Sequence, residues 1–295
     1  MKKTVIIREI TEKKTKTASP YLLLTLFDKE KVFQGKIWNM DIPSFPRKVG
    51  EVIEISYETS TYNGQEDIIL SGCRPSNESP KEFIPRIPEE PEELYNQIVE
   101  LAQDLRAPLK EIVTKIYEDF KEVILTQPAA KTVHHNVSGG ILLHVYKMLE
   151  GAMGLDGIYD GIDMDMVYAG IMLHDIGKVK ELSMDDCGNI SYTAQGTLFG
   201  HMPLGFVLVH EYGVKLDTNE EDLNILLHIV LAHQGTPEMG SSVIPCTPEA
   251  YMVHMLDMLD SRVYQYNSIL NNLEPGEHTA GPIKTLAGAR VYKRR

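Results

Sequence analysis

The chain has 295 residues, 43% of them hydrophobic and 24% charged, which suits about two folded domains and excludes a disordered, collagen-like or coiled-coil protein. Its densest apolar run, YLLLTLF at 21–27, has the length of a strand and not that of a spanning helix. Lys and Arg number 29 against 42 Asp and Glu, and the imbalance is local: residues 1–88 carry a net +2 and residues 89–295 a net −15.

MKKTVIIREITEKK at the start has no small-residue cleavage site behind its short apolar stretch, so a cytoplasmic location is expected and no membrane partner. Over the first 75 residues apolar and polar positions alternate in five short runs: TVIIREI, YLLLTLFD, VFQGKIW, VIEISYET and EDIILSG. Turn signals separate them, at SP 19–20, IPSFP 42–46 and YNG 62–64, and the pattern predicts a small five-stranded barrel over residues 1–75. Within it Phe27, Phe33, Trp38 and Tyr57 are interleaved with Lys29, Lys31, Lys36, Arg47 and Lys48. Alternation in VFQGKIW puts Lys36 and Trp38 on one face, the best candidate pair for stacking and pairing with single-stranded nucleic acid.

Five prolines fall within residues 75–91, so 76–91 reads as an extended linker. From 92 to 295 the period is helical, with apolar stripes at 94–105, 109–124, 138–154, 163–175, 202–213, 220–233 and 247–272, and an all-α domain is expected. Thr218 or Asn219 before EEDLNILL, and Thr247 before PEAYMVHML, mark two helix starts. The last eighteen residues hold five Lys or Arg and no acid, a basic tail that suits phosphate or plain solvation.

Three cysteines, Cys73, Cys187 and Cys246, lie far apart without a CxxC, so neither a disulfide framework nor a thiolate zinc site is expected and any metal needs other ligands. Ten histidines are present, most of them in the helical part. His174 and Asp175 end an apolar helix in GIMLHDIGK, with Gly177 placed to release the chain. Adjacent side chains point about 100° apart on a helix, so both reach one ion only near its end, where Asp175 can also bridge to a second. His210 and His228, inside apolar stretches, read as interior histidines, and the methionines at 148, 153, 164, 166, 172, 252, 255 and 258 as core filler.

The order His144 in SGGILLH, His174 and Asp175 with Lys178 in MLHDIGK, His201 in FGH, His233 in LAHQG and Asp257 in HMLDMLDSR resembles the HD superfamily of metal-dependent phosphohydrolases. With a barrel in front, the whole chain is similar to the YhaM-type 3′-to-5′ exoribonucleases. The resemblance implies an OB-fold followed by an HD domain, a single-stranded RNA or DNA substrate cut from its 3′ end to nucleoside monophosphates, and one or two divalent ions. It implies His144, His174, Asp175 and Asp257 around one ion, and Asp175, His201 and His233 around a second. Imidazole with carboxylate suits Mn²⁺, Fe²⁺, Co²⁺ or Zn²⁺ better than Mg²⁺ or Ca²⁺, and among these the resemblance implies Mn²⁺.

Asp175 and Lys178 are then the expected catalytic residues, with Lys178 on a phosphate oxygen or simply solvated. His134 and His135 before the first ligand helix, and His254 beside Asp257, are expected near substrate, and Asp260 competes with Asp257. Binuclear members place two adjacent histidines where this chain has His233 and Gln234, which leaves the ion count open. Rival readings are an HD phosphohydrolase acting on a small or cyclic nucleotide, or a non-catalytic nucleic-acid adaptor; a homo-oligomer is also left open.

Overall fold

The computed structural model describes residues 1–62, 65–131 and 135–295. The chain divides into two compact units, one of residues 1–86 with 184–190, the other of 87–183 with 191–295. The YNG turn expected at 62–64 lies mostly outside the described residues, as does His134.

In the first unit β1 (Lys2–Lys14), β2 (Pro20–Phe27), β3 (Val32–Trp38), β4 (Val52–Tyr62) and β5 (Gln65–Pro75) form a closed barrel in the order β1-β2-β3-β5-β4, the strand order of an OB-fold. All pairings are antiparallel except β3 with β5. Closure follows from alternation. Leu22, Leu24 and Leu26 of β2 are wholly buried against Val5, Ile7, Ile53, Ile55 and Leu70, each contributing about 2 kcal/mol on burial. Outside the barrel wall, Ile6, Phe27 and Val52 are covered by Phe83 and Cys187 in a second small cluster of the same unit.

The second unit contains α1 (Pro91–Gln103), α2 (Leu109–Asp119), α3 (Lys121–Ile124), α4 (Gly140–Met153), α5 (Met164–Leu173), α6 (Lys178–Glu181), α7 (Ala194–Phe199), α8 (His201–Lys215), α9 (Glu220–Ala232) and α10 (Pro248–Leu270). The stripe at 109–124 breaks at Phe120 into α2 and α3. Seven of the ten residues of α5 are buried, as an almost uniformly apolar helix requires, and α2, α4, α9 and α10 pack around it. Asn219 accepts the N–H of Asp222 and Thr247 that of Ala250, so both predicted caps are formed, with Pro248 in the first turn.

The expectation of an all-α second domain needs a correction. Leu182–Met184 (β6) and Ile190–Tyr192 (β7) form a two-stranded sheet, and residues 184–190 at its turn belong to the barrel unit. Three-residue strands around a polar DDCGN turn carry too few apolar positions to show a period. The basic tail is folded as well: His278 pairs with Tyr292 and Ile283 with Ala289, with Leu286 and Val291 buried. Among the described residues no helix is long and apolar enough to cross a membrane.

Candidate metal centre and its cavity

Five helices of the second unit bring the histidines together. His144 lies in the second turn of α4, His174 caps the end of α5, His201 opens α8, His233 caps α9, and Asp257 and Asp260 sit on α10. Two glycines permit this. A Cβ on Gly140 would stand 1.9 Å from the carbonyl oxygen of His135, and one on Gly177 would stand 1.9 Å from that of His201. Gly177 has an ordinary helical φ of −59°, so it serves close approach of the α5–α6 turn to α8 and does not release the chain through a left-handed conformation.

His144 and His174 are fully buried, and His233 and Asp175 nearly so. A buried imidazole needs partners, and each ring uses Nδ1 to find one. His174 Nδ1 donates to Ile171 O at 2.8 Å, His233 Nδ1 to Val230 O at 2.9 Å and His254 Nδ1 to His233 O at 2.7 Å. His144 Nδ1 bonds Asp260 Oδ2 at 2.7 Å, and His201 Nδ1 lies 3.3 Å from Glu181 Oε1. A carbonyl only accepts, so Nδ1 holds the proton in His174, His233 and His254 and, in the neutral ring, leaves a lone pair on Nε2.

The Nε2 atoms converge. Nε2 of His144 and His174 are 3.3 Å apart, and those of His201 and His233 3.4 Å. Asp175 stands between the pairs. Its Oδ2 lies 3.4 Å from His174 Nε2, and its Oδ1 lies 3.5 Å from His201 Nε2 and 3.7 Å from His233 Nε2. Asp257 Oδ1 is 3.4 Å from His144 Nε2. Among the described residues three groups have their donor atoms within 4.8 Å of one another: His144 with His174 and Asp257, Asp175 with His201 and His233, and, behind the first, His135 with His144 and Asp260.

The charges favour a cation here. Burial works against ionising Asp175, but Lys178 and His174 outweigh it and hold its carboxyl well below the usual carboxylate range. Burial likewise opposes charge on His144, yet Asp257 and Asp260 overcome it and raise the imidazole to about 9, so with no ion present Nε2 carries a proton that a bound cation would displace. His233, buried beside His174, is pushed down to about 3 and stays an uncharged donor. Asp175 Oδ1 is buried without a hydrogen-bond partner among the described residues, a costly state that a bound cation would relieve. Imidazole lone pairs, anionic oxygens and Nδ1 atoms oriented by carbonyls and carboxylates are what a divalent ion requires.

The first two groups open onto a cavity of about 650 Å³ whose wall includes Lys178, Glu181, His201, Gln234, His254 and Asp257. Lys178 is buried at the start of α6 and bonds Asp175 Oδ2 at 2.5 Å, so it is not a solvated lysine. His135 is buried behind Asp260, with Nε2 2.9 Å from Asp260 Oδ2 and its ring 4.3 Å from that of Tyr264, and lies away from the cavity wall. Gln234 Nε2 lies 3.3 Å from His201 Nε2.

Glu181 and Asp260 are the residues that sequence reasoning undervalued. Glu181 Oε1 accepts the His201 N–H at 3.1 Å and faces its ring, and only its nearness to LHDIGK hinted at this. His210 is exposed and stacked on Phe206, and His228 is half-buried and accepts the Cys246 N–H, so neither is the interior histidine expected. Met153 and Met255 are exposed and Met258 lines the cavity, so three of the methionines are not core filler.

In the barrel, Trp38 is 42% exposed and lies on Tyr21 with ring centroids 4.9 Å apart. Lys36 bonds Asp67 at 2.6 Å, with its ammonium 5.9 Å from the Trp38 ring centre. Phe27 is buried, and Phe33 and Tyr57 pack against the barrel core, so they are not stacking surfaces. Lys29 is tied to Glu78 and Glu82.

The HD domain family matches residues 141–262, the stretch from α4 to α10 that holds the convergent donors. A 3′-5′ exoribonuclease YhaM of Oceanobacillus iheyensis is 32% identical over 93% of this chain and 88% of its own length. The chain belongs to the YhaM family. The YhaM protein of Halalkalibacterium halodurans is 32% identical over 98% of the chain and 91% of its own length, and that of Bacillus licheniformis 28% over 93% and 89%. No solved structure matches. In this YhaM-family chain the likeness runs through both the barrel and the helical unit.

Proposed function

We propose that this chain is a metal-dependent 3′-5′ exoribonuclease that shortens single-stranded RNA, and DNA less readily, to nucleoside monophosphates in the cytoplasm. The observation that carries the reading is the pair of imidazole–carboxylate groups sharing Asp175 on the wall of one cavity. YhaM relatives named as 3′-5′ exoribonucleases support the direction of cutting.

His144, His174 and Asp257 would hold one divalent ion and His201 with His233 a second, with Asp175 reaching both. The nitrogen-rich donor sets suit Mn²⁺, Fe²⁺, Co²⁺ or Zn²⁺ better than Mg²⁺ or Ca²⁺, and among these Mn²⁺ is the ion that the resemblance to the YhaM-type enzymes implies. Ions held in this way supply Lewis-acid charge for attack of water on a phosphodiester and for the leaving oxygen. The protein's own part is positional. Carbonyls of Ile171 and Val230 fix the rings of His174 and His233, and Glu181 fixes His201 from its other edge. Lys178 commits one of its three N–H donors to Asp175 and offers the others to a phosphate oxygen entering the cavity. Gln234 stands beside His201, where an amide oxygen makes a weaker ligand than a second imidazole, so the second ion is expected to bind less tightly.

With Mn²⁺ the full chain should shorten a 5′-labelled single-stranded RNA in steps from its 3′ end, and a chelator should stop it. Asp175→Ala should lower the rate at least a thousandfold, about 4 kcal/mol of transition-state stabilisation, with far-ultraviolet circular dichroism unchanged. Cleavage by that folded variant at the wild-type rate would refute the assignment.

A further inference from the structure

Beyond the candidate metal groups, the cavity wall contains polar groups with no hydrogen-bond or carboxylate partner among the described residues. Of its charged residues, Lys178 bonds Asp175, Glu181 faces His201 and Asp257 faces His144. Among the described residues Lys131 and Arg262 have no carboxylate partner, although residues 89–295 carry a net −15; one acid, Glu238, remains on the wall with them. Unpaired cations in so acidic a unit point to an anionic ligand. Tyr192 is half-exposed on the same wall, with the Lys131 ammonium 5.1 Å from its ring centre, an open aromatic face beside a cation.

Gln265, one turn beyond Arg262 on α10, narrows the ligand further. Its side chain is buried, and its Nε2 donates to Ser261 O at 3.2 Å. Because a carbonyl cannot donate, that contact fixes the amide's orientation and turns Oε1 the other way. Oε1 is buried with no hydrogen-bond partner among the described residues, on a residue that lines the cavity. It awaits a donor. A phosphodiester has none, and base donors vary with sequence. Along a ribonucleic strand the donor that every nucleotide carries is the ribose 2′-hydroxyl.

We propose that Arg262, Lys131 and Tyr192 hold the nucleotides next to the 3′ end, and that Gln265 Oε1 accepts a hydrogen bond from a ribose 2′-hydroxyl there. The inference rests on the exoribonuclease reading and deepens it: Gln265 becomes the residue that distinguishes RNA from DNA, Arg262 and Lys131 neutralise phosphates, and Tyr192 takes a base on its open face.

The test is binding of 5′-fluorescein single-stranded decamers to the full chain in chelator, so that no strand is cut, read by anisotropy. Four strands are compared: RNA, DNA, and two RNAs that carry a single 2′-deoxynucleotide, one at the last position and one at the position before it. The wild type should bind RNA roughly tenfold more tightly than the best-placed single-deoxy strand, since a buried acceptor left empty costs about that factor. In Gln265→Leu the ratio should fall to about one, and Gln265→Glu, which keeps an acceptor, should restore part of it. A ratio near one in the wild type, or an unchanged ratio in Gln265→Leu, overturns the inference.

Arg262→Ala provides a reading independent of whether the Gln265 variants fold. The slope of log affinity against log salt should become shallower by about 0.7, the value for one phosphate contact on a single strand; an unchanged slope removes Arg262 from the subsite. Mn²⁺-dependent trimming of RNA by the wild type alongside either negative result leaves the exonuclease reading standing. Absence of trimming fells that reading.

Discussion

Asp257 and Asp260, one turn apart on α10, approach opposite edges of the same imidazole. Asp260 Oδ2 takes His144 Nδ1 at 2.7 Å, and Asp257 Oδ1 lies 3.4 Å from Nε2. The sequence offered these two acids as competitors, because a spacing of three places both on one helical face without saying which edge of a ring each meets. In the structure the roles separate: Asp257 stands with the donors, while Asp260 holds the ring in the tautomer that frees Nε2. Asp260→Asn removes that control, since an amide NH₂ toward Nδ1 drives the ring proton onto Nε2. Mn²⁺ affinity, measured by calorimetric titration of the full chain, should fall roughly 10- to 100-fold. Asp260→Glu should recover part of it, and an Asn variant that binds Mn²⁺ as tightly as the wild type would show that the ring orients itself. The residues whose donor atoms converge were legible because HD, its flanking glycine and the later histidines have a recognisable order. Glu181 was not, because an acid in a short helix differs in no local way from an acid on any solvated turn.

At the level of elements, the metal groups depend on how α5, α9 and α10 meet, and one side chain fastens two of their starts. Arg106, just before α2, makes paired 2.7 Å bonds to Asp222 in the first turn of α9 and a third to Asp163, the cap of α5, while its own N–H goes to Asp165. Bidentate geometry raises such a pair above an ordinary surface bridge, but Arg106 is 38% exposed and solvent screens the gain. Arg106→Met should therefore cost about 1–2 kcal/mol at neutral pH, read by urea unfolding of the full chain. The pH dependence has a definite sign. Arg106 holds the Asp222 carboxyl below its ordinary value, so its contribution is fully present above the unfolded value of about 4 and is lost as pH falls through the lower folded one. The gap between wild type and variant should close on acidification; a gap that stays constant from neutral pH to the acid limit would mean that packing of the Arg106 stem, and not the ion pair, provides the stability. Helix extents at 140–153, 220–232 and 248–270 were close to their apolar stripes because a long period averages over single residues. The break at Phe120 and the β6–β7 strands were hidden because each is decided by three or four residues whose partners lie elsewhere in the chain.

Across the whole molecule, a net charge of −13 repels a polyanion at long range, so any grip on RNA must come from local contacts able to overcome that field. Among the described residues, the cavity wall in the helical unit and the Tyr21–Trp38 pair on the barrel are the candidates for such contacts. The barrel itself was legible because five alternating runs of strand length leave few other ways to bury Leu22, Leu24 and Leu26 together. Which aromatics face water was only partly so: Phe27, Phe33 and Tyr57 alternate as Trp38 does, and only the closed barrel shows that its core and flanking cluster take up the other three. Trp38 is also the sole tryptophan of the chain, which turns the platform into its own reporter. Adding single-stranded RNA in chelator should quench tryptophan emission in a saturable way as a base stacks on the ring, and the midpoint should match the affinity read by anisotropy. Trp38→Ala should weaken binding of a long strand about tenfold, in line with the loss of one stacked base, and Trp38→Phe should keep most of it. Binding with unaltered tryptophan emission, together with an unweakened Trp38→Ala variant, would place the barrel's contact with RNA elsewhere and leave the Tyr21–Trp38 pair as a cross-strand brace of β2 and β3.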